Sequence, residues 1–387
     1  MTVALAGLAA LAAAMGIGRF AFTPILPMMQ GDLGLSVAQG GWLASANYAG
    51  YLVGALTALW LRAKPATVIR GSLALIAAVT IGMGFTSGFA LWLVLRAIAG
   101  IASAWALVFV SAWCLDRLAA LKRPRFGSVV FAGVGAGMAL AGGLCLVLMR
   151  LGAASSQAWI ALGVAAVLLT AVTWPVFSQP SLVTAEVAQR SAASRFHWTG
   201  DGVLIVACYG VFGFGYIIPA TFVPAMAKQI VGDPAVFGWS WPLFGLAAMA
   251  STLAASRLAG ALGNRGVWVA SSLLMAIGVV APAVSPGMTA IMVTAVCVGS
   301  TFVVVTMVGM QEARRVGGEH ARTLMAAMTA SFAAGQVAGP LVVGGVAAAG
   351  GGVDSVLVAS AALLVASAAA IAWSTRNERA RIEALPE

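Results

Sequence analysis

The stretch MGIGRFAFTPILP, residues 15–27, lies in an apolar run from about Val3 to Met29. Such a run exceeds the roughly 20 residues a helix needs to cross a hydrocarbon core. Yet Arg19 stands inside it, with Pro24 and Pro27 just beyond. An arginine at the centre of a membrane helix costs roughly 2.5–3.5 kcal/mol on insertion scales, so partners within the fold must offset it. The run has no basic n-region and continues through Arg19 and both prolines. It therefore reads as a retained span and not as a cleaved signal peptide.

The rest of the chain has the same character. Of 387 residues, 61% are hydrophobic and 8% charged, against about 25% charged in a soluble domain. Twelve apolar spans are expected, at 3–29, 37–60, 67–87, 89–115, 126–150, 157–177, 199–227, 236–256, 266–285, 287–311, 323–349 and 353–374. The chain therefore reads as an all-α polytopic membrane protein. The four cysteines, Cys114, Cys145, Cys208 and Cys297, fall in or at the ends of spans. Their spacing fits neither a metal site nor a disulfide framework, and they read as small apolar fillers. The two histidines, His197 and His320, fall in loops. No metal and no cofactor is expected.

The net charge of +10 would suit a nucleic-acid partner if it were spread over one surface. It is not. With the N-terminus in the cytoplasm, all Lys and Arg except Arg19, Arg96, Arg150 and Lys228 fall in cytoplasmic loops and the tail. The positive-inside rule then places both termini in the cytoplasm, in what reads as a bacterial inner membrane. The basic loops suit anionic lipid headgroups, and no nucleic-acid role is needed. The longest connection, 178–198, divides an N-terminal half, 1–177, from a C-terminal half, 199–387.

The two halves carry matching marks. GIGRFAFTPILP (16–27) is answered by GFGYIIPATFVP (213–224), so that Gly16, Gly18 and Pro27 pair with Gly213, Gly215 and Pro224 at an offset of 197. Gly41-Trp42 and Gly238-Trp239 keep that offset, and Asp116 and Glu312 differ by 196. A glycine ladder, Gly133, Gly137, Gly142 and Gly143, recurs as Gly335, Gly339, Gly344 and Gly345. Each pair links span n to span n+6, the mark of a duplicated six-span unit. Transporters built from parallel repeats place their substrate sites near the midplane, between the halves.

On these residues the chain resembles the major facilitator superfamily. DLGLSVAQGGWLASANYAGYLVGAL (32–56) resembles its second span, RAIAGIASA (96–104) its fourth-span arginine–glycine motif, and Gly339-Pro340 its glycine–proline motif. GIGRFAFTPILP and YGVFGFGYIIPATFVPAM (209–226) resemble the YbfB/YjiJ branch more narrowly. The resemblance spans essentially the whole chain and implies the major facilitator fold, with spans 1, 4, 7 and 10 lining a central cavity. Two departures argue against proton-coupled drug export. The usual acidic loop after span 2 is replaced by LWLRAKPATVIR (59–70), and span 5 carries Met138 where the exporter motif has proline.

Arg19 lies about 11 residues, roughly 16 Å, from the outer end of span 1, and Arg96 about 7 residues, roughly 10 Å, from that of span 4. Both would face the cavity at similar depth. A guanidinium fork matches carboxylate, phosphate or sulfonate and stays charged. No carboxylate falls deep in the bundle to neutralise either one. Thr23, Asn47, Tyr51, Tyr209, Tyr216 and Gln336 are the further candidates for substrate contact. Gly16, Gly18, Pro27, Gly213, Gly215, Pro224, Gly339 and Pro340 are expected to shape or hinge the cavity-lining helices. Asp116 and Arg117, with Glu312 and Arg314-Arg315, are expected to form ion pairs that hold one alternating-access state.

These readings converge on a secondary transporter of a small organic anion, acting as a monomer. An exporter of hydrophobic or cationic compounds is the alternative, but it commonly needs a membrane-embedded acid that no span offers. A membrane enzyme would need a nucleophile–base pair or metal ligands at depth, and no histidine lies inside a span. No phosphate-binding G-x-x-x-x-G-K-[ST] loop is present.

Overall fold

The computed structural model describes residues 1–178, 197–230, 234–285 and 287–383. Within these, the side chains of residues 37, 221–230, 234–238, 240, 347 and 378–383 are not described. Every regular element among the described residues is helical. Numbered along the chain, they are α1 (Thr2–Leu11), α2 (Phe22–Asp32), α3 (Val37–Ala58), α4 (Pro65–Phe85), α5 (Phe89–Ala120), α6 (Gly127–Arg150) and α7 (Ser155–Phe177). After the connection come α8 (Gly200–Ile230), α9 (Pro234–Val284), α10 (Met288–Gly299), α11 (Phe302–Gly317), α12 (Ala321–Ala348) and α13 (Val353–Glu383). Among the described residues, nine helical segments are long and apolar enough to cross a membrane.

Local chemistry sets the boundaries. Ser36 and Gln39 form a reciprocal capping box that opens α3, and Pro65 opens α4, where a missing N–H does no harm. Asp32, at the end of α2, accepts hydrogen bonds from the backbone N–H and Oγ of Ser155 and so caps α7 from another helix. The expected spans at 236–256 and 266–285 are two helices within α9, separated at Gly263, where the backbone leaves helical geometry (φ 73°, ψ 167°). The span expected at 287–311 is interrupted between α10 and α11 at Ser300 and Thr301.

The expected continuous span 3–29 is also broken. Past α1 the backbone widens into a π-turn at Ala12–Ile17 and then runs as an irregular turn through residue 21, with four- and five-residue hydrogen bonds mixed. The proline at 24 has no N–H for Phe20 O, and its ring crowds that carbonyl. Instead Thr23 N–H reaches back only to Phe20 O, at 3.3 Å, while Gly18 and Phe20 bond five residues back. The carbonyls of Gly18 and Arg19 thereby lose their ordinary helical donors.

Between helices, glycine permits close approach. A Cβ on Gly133 would collide with the Leu8 backbone and one on Gly137 with Ala12 and Gly16, so α6 crosses α1 and the π-turn after it backbone to backbone. The same crossing recurs later in the chain: Gly213 faces the Phe332 backbone and Gly335 faces Gly210 and Phe214, joining α8 to α12. The ladders do not pack uniformly. Gly143, Gly344 and Gly345 have open space where a Cβ would stand, whereas Gly142 abuts Pro242 of α9. Gly339 faces the Ile217 side chain and Gly215 that of Leu364. Contacts of α6 with α9 and of α3 with α12 tie the first seven helices to the later ones.

Candidate functional site

Arg19 lies in the break between α1 and α2, 3% exposed. Its Nη2 donates to Oε1 of Gln336, a fully buried residue of α12. Its guanidinium lies over the Tyr51 ring of α3, Cζ 3.6 Å from the centroid, with Tyr48 and Phe20 at 5.6 Å and Phe332 at 6.0 Å. A cation over an aromatic face is worth about 2 kcal/mol when desolvated. The charge is thus held by one amide and by rings, and among the described residues it forms no ion pair.

The hydrogen-bond inventory around Arg19 is lopsided. Its Nε and Nη1 are buried without a protein partner, as is Nε2 of Gln336. An arginine has only donors, so the Gln336 oxygen must face it and the amide nitrogen is left over. Three unsatisfied donors therefore cluster on two side chains that are bonded to each other, one from the first helix pair and one from α12.

Arg96, on α5, was expected to face the cavity as a substrate contact, and here its guanidinium is engaged by the backbone. Its Nη1 donates to Gly18 O at 3.3 Å and its Nη2 to Arg19 O at 3.2 Å, the two carbonyls freed by the helix break. Phe22 and Trp159 flank it, 4.9 and 5.9 Å from Cζ. Two turns along the same face, Ser103 Oγ donates to Ala14 O at 2.8 Å in the π-turn. Asn47, also a substrate-contact candidate, donates from Nδ2 to Arg96 O at 3.0 Å. Arg96 and Asn47 serve the backbone here, Arg96 at the carbonyls freed by the break and Asn47 at the Arg96 carbonyl of α5. Only Nε of Arg96 and Oδ1 of Asn47 remain unpaired.

The other candidates spread along a band of rings. Tyr216 is stacked on Phe302 at 5.1 Å and lies 6.2 Å from Phe332. Tyr209 packs among Phe212, Trp268 and Phe332, farther from Arg19 along α8. Thr23 is half-buried on α2, Pro27 is exposed, and Pro340 lies half-buried inside α12. Pro224 belongs to α8, and its side chain lies outside those described.

The charged helix ends pair in a pattern that spacing along the chain does not reveal. Asp116 on α5 binds Arg314 on α11 at 2.8 Å, an exposed contact between distant helices. Arg117 stacks on Trp113 at 5.0 Å. Glu312, 2% exposed, receives Arg315 from its own helix at 2.8 Å and Arg265 from α9 at 2.6 Å. Arg265 also binds Asp201 of α8 and, at 3.1 Å, Ser374 of α13, so four helices meet on one guanidinium.

Several contributors were not singled out from the sequence. Tyr48 lies three residues before Tyr51 and Phe332 four before Gln336, spacings that put each pair on one helix face. Arg265 fell in an expected loop and Asp201 at the cytoplasmic end of an expected span, and nothing in their local sequence points to each other. Two shallow grooves, one lined by Trp42, Ala46, Leu93 and Ala97 and the other by Leu273, Ile277 and Ala361, touch none of these residues.

A chain whose described regular elements are all helices, several of them apolar and of membrane-spanning length and one broken around a buried cation, is a multi-pass membrane protein with the build of a transporter. Residues 11–372 match the family model described as the uncharacterised MFS-type transporter YbfB, and the chain belongs to that family of major facilitator transporters. No curated protein matches it.

Proposed function

We propose that the chain is a secondary transporter that carries a small organic anion by alternating access, with Arg19 and Gln336 as its anion clamp. In this reading twelve passes form two six-helix halves, 1–177 and 199–387, and both termini lie in the cytoplasm of a bacterial cell with the chain in its inner membrane. Residues 179–196 of the connection at 178–198 lie outside those described. The matching glycine crossings of α1 on α6 and α8 on α12 support the duplicated architecture.

One observation carries the substrate class. A buried guanidinium without a carboxylate partner keeps Nε and Nη1 free beside the free Nε2 of Gln336. A carboxylate, sulfonate or phosphate supplies the acceptors these donors lack and cancels the charge. A cation would add to the charge. Because Arg19 and Gln336 come from opposite halves, an anion held by both draws the halves together, which is what an alternating-access cycle requires. Arg96 holds the backbone of the break in place behind Arg19, and Tyr51 is the floor on which the guanidinium rests. The Asp116–Arg314 pair bridges the halves at the cytoplasmic end.

The test is a thermal-shift screen of the purified protein against small carboxylates, sulfonates, phosphates and hydrophobic cations. Stabilisation by one anion class that disappears in Arg19→Ala supports the reading. Stabilisation by cations alone, or by anions equally well in Arg19→Ala, overturns it.

A further inference from the structure

The break around Arg19 has the form in which broken-helix transporters hold a coupling cation. Where a membrane helix unwinds, its freed backbone carbonyls commonly coordinate the Na⁺ or H⁺ that drives the cycle. Here the carbonyls of Gly18 and Arg19 already accept from Nη1 and Nη2 of Arg96, at 3.3 and 3.2 Å. Arg96 is 3% exposed, and a guanidinium keeps its charge, so a fixed cation fills the place of a mobile one. A second cation brought to this point would be repelled by Arg96 and by the neighbouring Arg19.

No described acid stands at this depth to carry a proton either. Of the eleven acidic residues in the sequence, the six with described side chains lie at helix ends or in turns. Asp32 caps α7, and Asp116 binds Arg314 near the end of α5. Asp201 opens α8 and, with Glu312 in the last turns of α11, is tied to Arg265. Glu319 lies in the turn ahead of α12 and Asp354 in the first turn of α13. Glu186, Asp233, Glu378, Glu383 and Glu387 fall in the expected connections and tail, and their side chains lie outside those described. His197 and His320 lie just ahead of α8 and α12. Around the Arg19 guanidinium itself stand Gln336, Tyr48, Tyr51, Phe20 and Phe332. None of these side-chain types takes up a proton at neutral pH.

Gln336 of α12 also reaches Arg19 directly, so protein atoms alone join the two halves at the clamp. A carrier whose halves meet in this way can return unloaded, which strict exchange forbids. We infer that the protein is an exporter driven by the membrane potential, each cycle carrying one anion outward without a coupled proton, metal cation or exchanged anion. This rests on the anion reading of Arg19 given above and adds the driving force and the direction. The charge moved is that of the anion alone, and a cell interior held negative expels it. Uptake of the same anion would run against that potential and would need the cation site that Arg96 fills.

The experiment places the purified full-length protein in liposomes that contain valinomycin and about tenfold more potassium inside than outside. Three monovalent anions serve as probes: gluconate, benzenesulfonate and dimethyl phosphate. At least one should settle about tenfold more concentrated outside, because an anion moving alone balances the potassium gradient charge for charge. Reversing the potassium gradient should reverse that distribution. With potassium equal on both sides, a pH or sodium gradient should leave it even. If the distribution follows the pH or sodium gradient and ignores potassium, transport is cation-coupled, and the inference falls while the Arg19 site stands. It falls in the same way if a probe crosses only in exchange for one on the far side. If no probe crosses faster than through Arg19→Ala, the anion reading falls and takes this inference with it.

Discussion

Replacing Arg19 with alanine separates a ligand-binding role from a structural one, because the two predict opposite changes in stability. Arg19 makes one hydrogen bond, to Gln336, and rests on Tyr51. The amide bond contributes about 1.5–3 kcal/mol and the ring contact about 2 kcal/mol. Against these stand the roughly 2.5–3.5 kcal/mol cost of a guanidinium at membrane depth and two donor atoms left unsatisfied, at about 1–3 kcal/mol each. The costs exceed the gains by about 1–4.5 kcal/mol, and the Gln336 oxygen and the volume vacated in the variant offset much of that difference, so Arg19→Ala should melt within a few degrees of wild type or slightly above it. Ligand binding should respond otherwise. An anion that fills Nε and Nη1 gains two charge-assisted bonds of about 1.5–3 kcal/mol each, so the variant should lose roughly 10²- to 10⁴-fold in affinity. Arg19→Lys keeps the charge but offers a point donor in place of a fork, and should recover only part of the loss. Both quantities are read in one thermal-shift titration of the purified protein with and without the anion that stabilises wild type. A variant that melts far below wild type yet binds that anion normally would refute the reasoning, since Arg19 would then be a packing residue.

Arg96→Leu should behave in the reverse way: it strands the Gly18 and Arg19 carbonyls at about 1–3 kcal/mol each, and its melting midpoint should fall below that of Arg19→Ala. Within one glycine ladder, Gly137→Ala should destabilise by about 1–3 kcal/mol, because its Cβ would strike Ala12 and Gly16, while Gly143→Ala, with open space around it, should be neutral in the same melt. Glu312→Gln leaves Arg265 and Arg315 without their shared buried carboxylate, and a loss of about 3–5 kcal/mol is expected in thermal denaturation. Asp116→Asn, by contrast, breaks an exposed pair worth about 0.2–1 kcal/mol. It should leave the melt unchanged but shift the equilibrium between closed and open forms by up to about 5-fold, seen as longer spin-label distances between the ends of α5 and α11 and mimicked by high salt.

Much of the chain was legible because membrane insertion is a strict filter on composition. A segment either is apolar enough to enter or is not, and the lone Arg19 stood out because its surroundings are so uniform. The break around Arg19 was half visible, since Pro24 announces a lost hydrogen bond. What takes over the freed carbonyls was not visible, and that turned out to be Arg96, 77 residues away. Two arginines with the same local context came to opposite uses: one guanidinium is filled by backbone oxygens and the other keeps donors free. Likewise Arg265 read as a loop residue, yet it gathers Asp201, Glu312 and Ser374 from three helices.

By itself the sequence determined the class: helices and a lipid environment follow from apolar runs and the cost of exposing backbone to hydrocarbon, and the transporter family follows from its match to residues 11–372. Only the tertiary structure decided which buried donors are satisfied and which rings lie parallel. Those properties belong to pairs of residues brought together from different helices, and chain spacing carries no information about the angle and depth at which two helices cross.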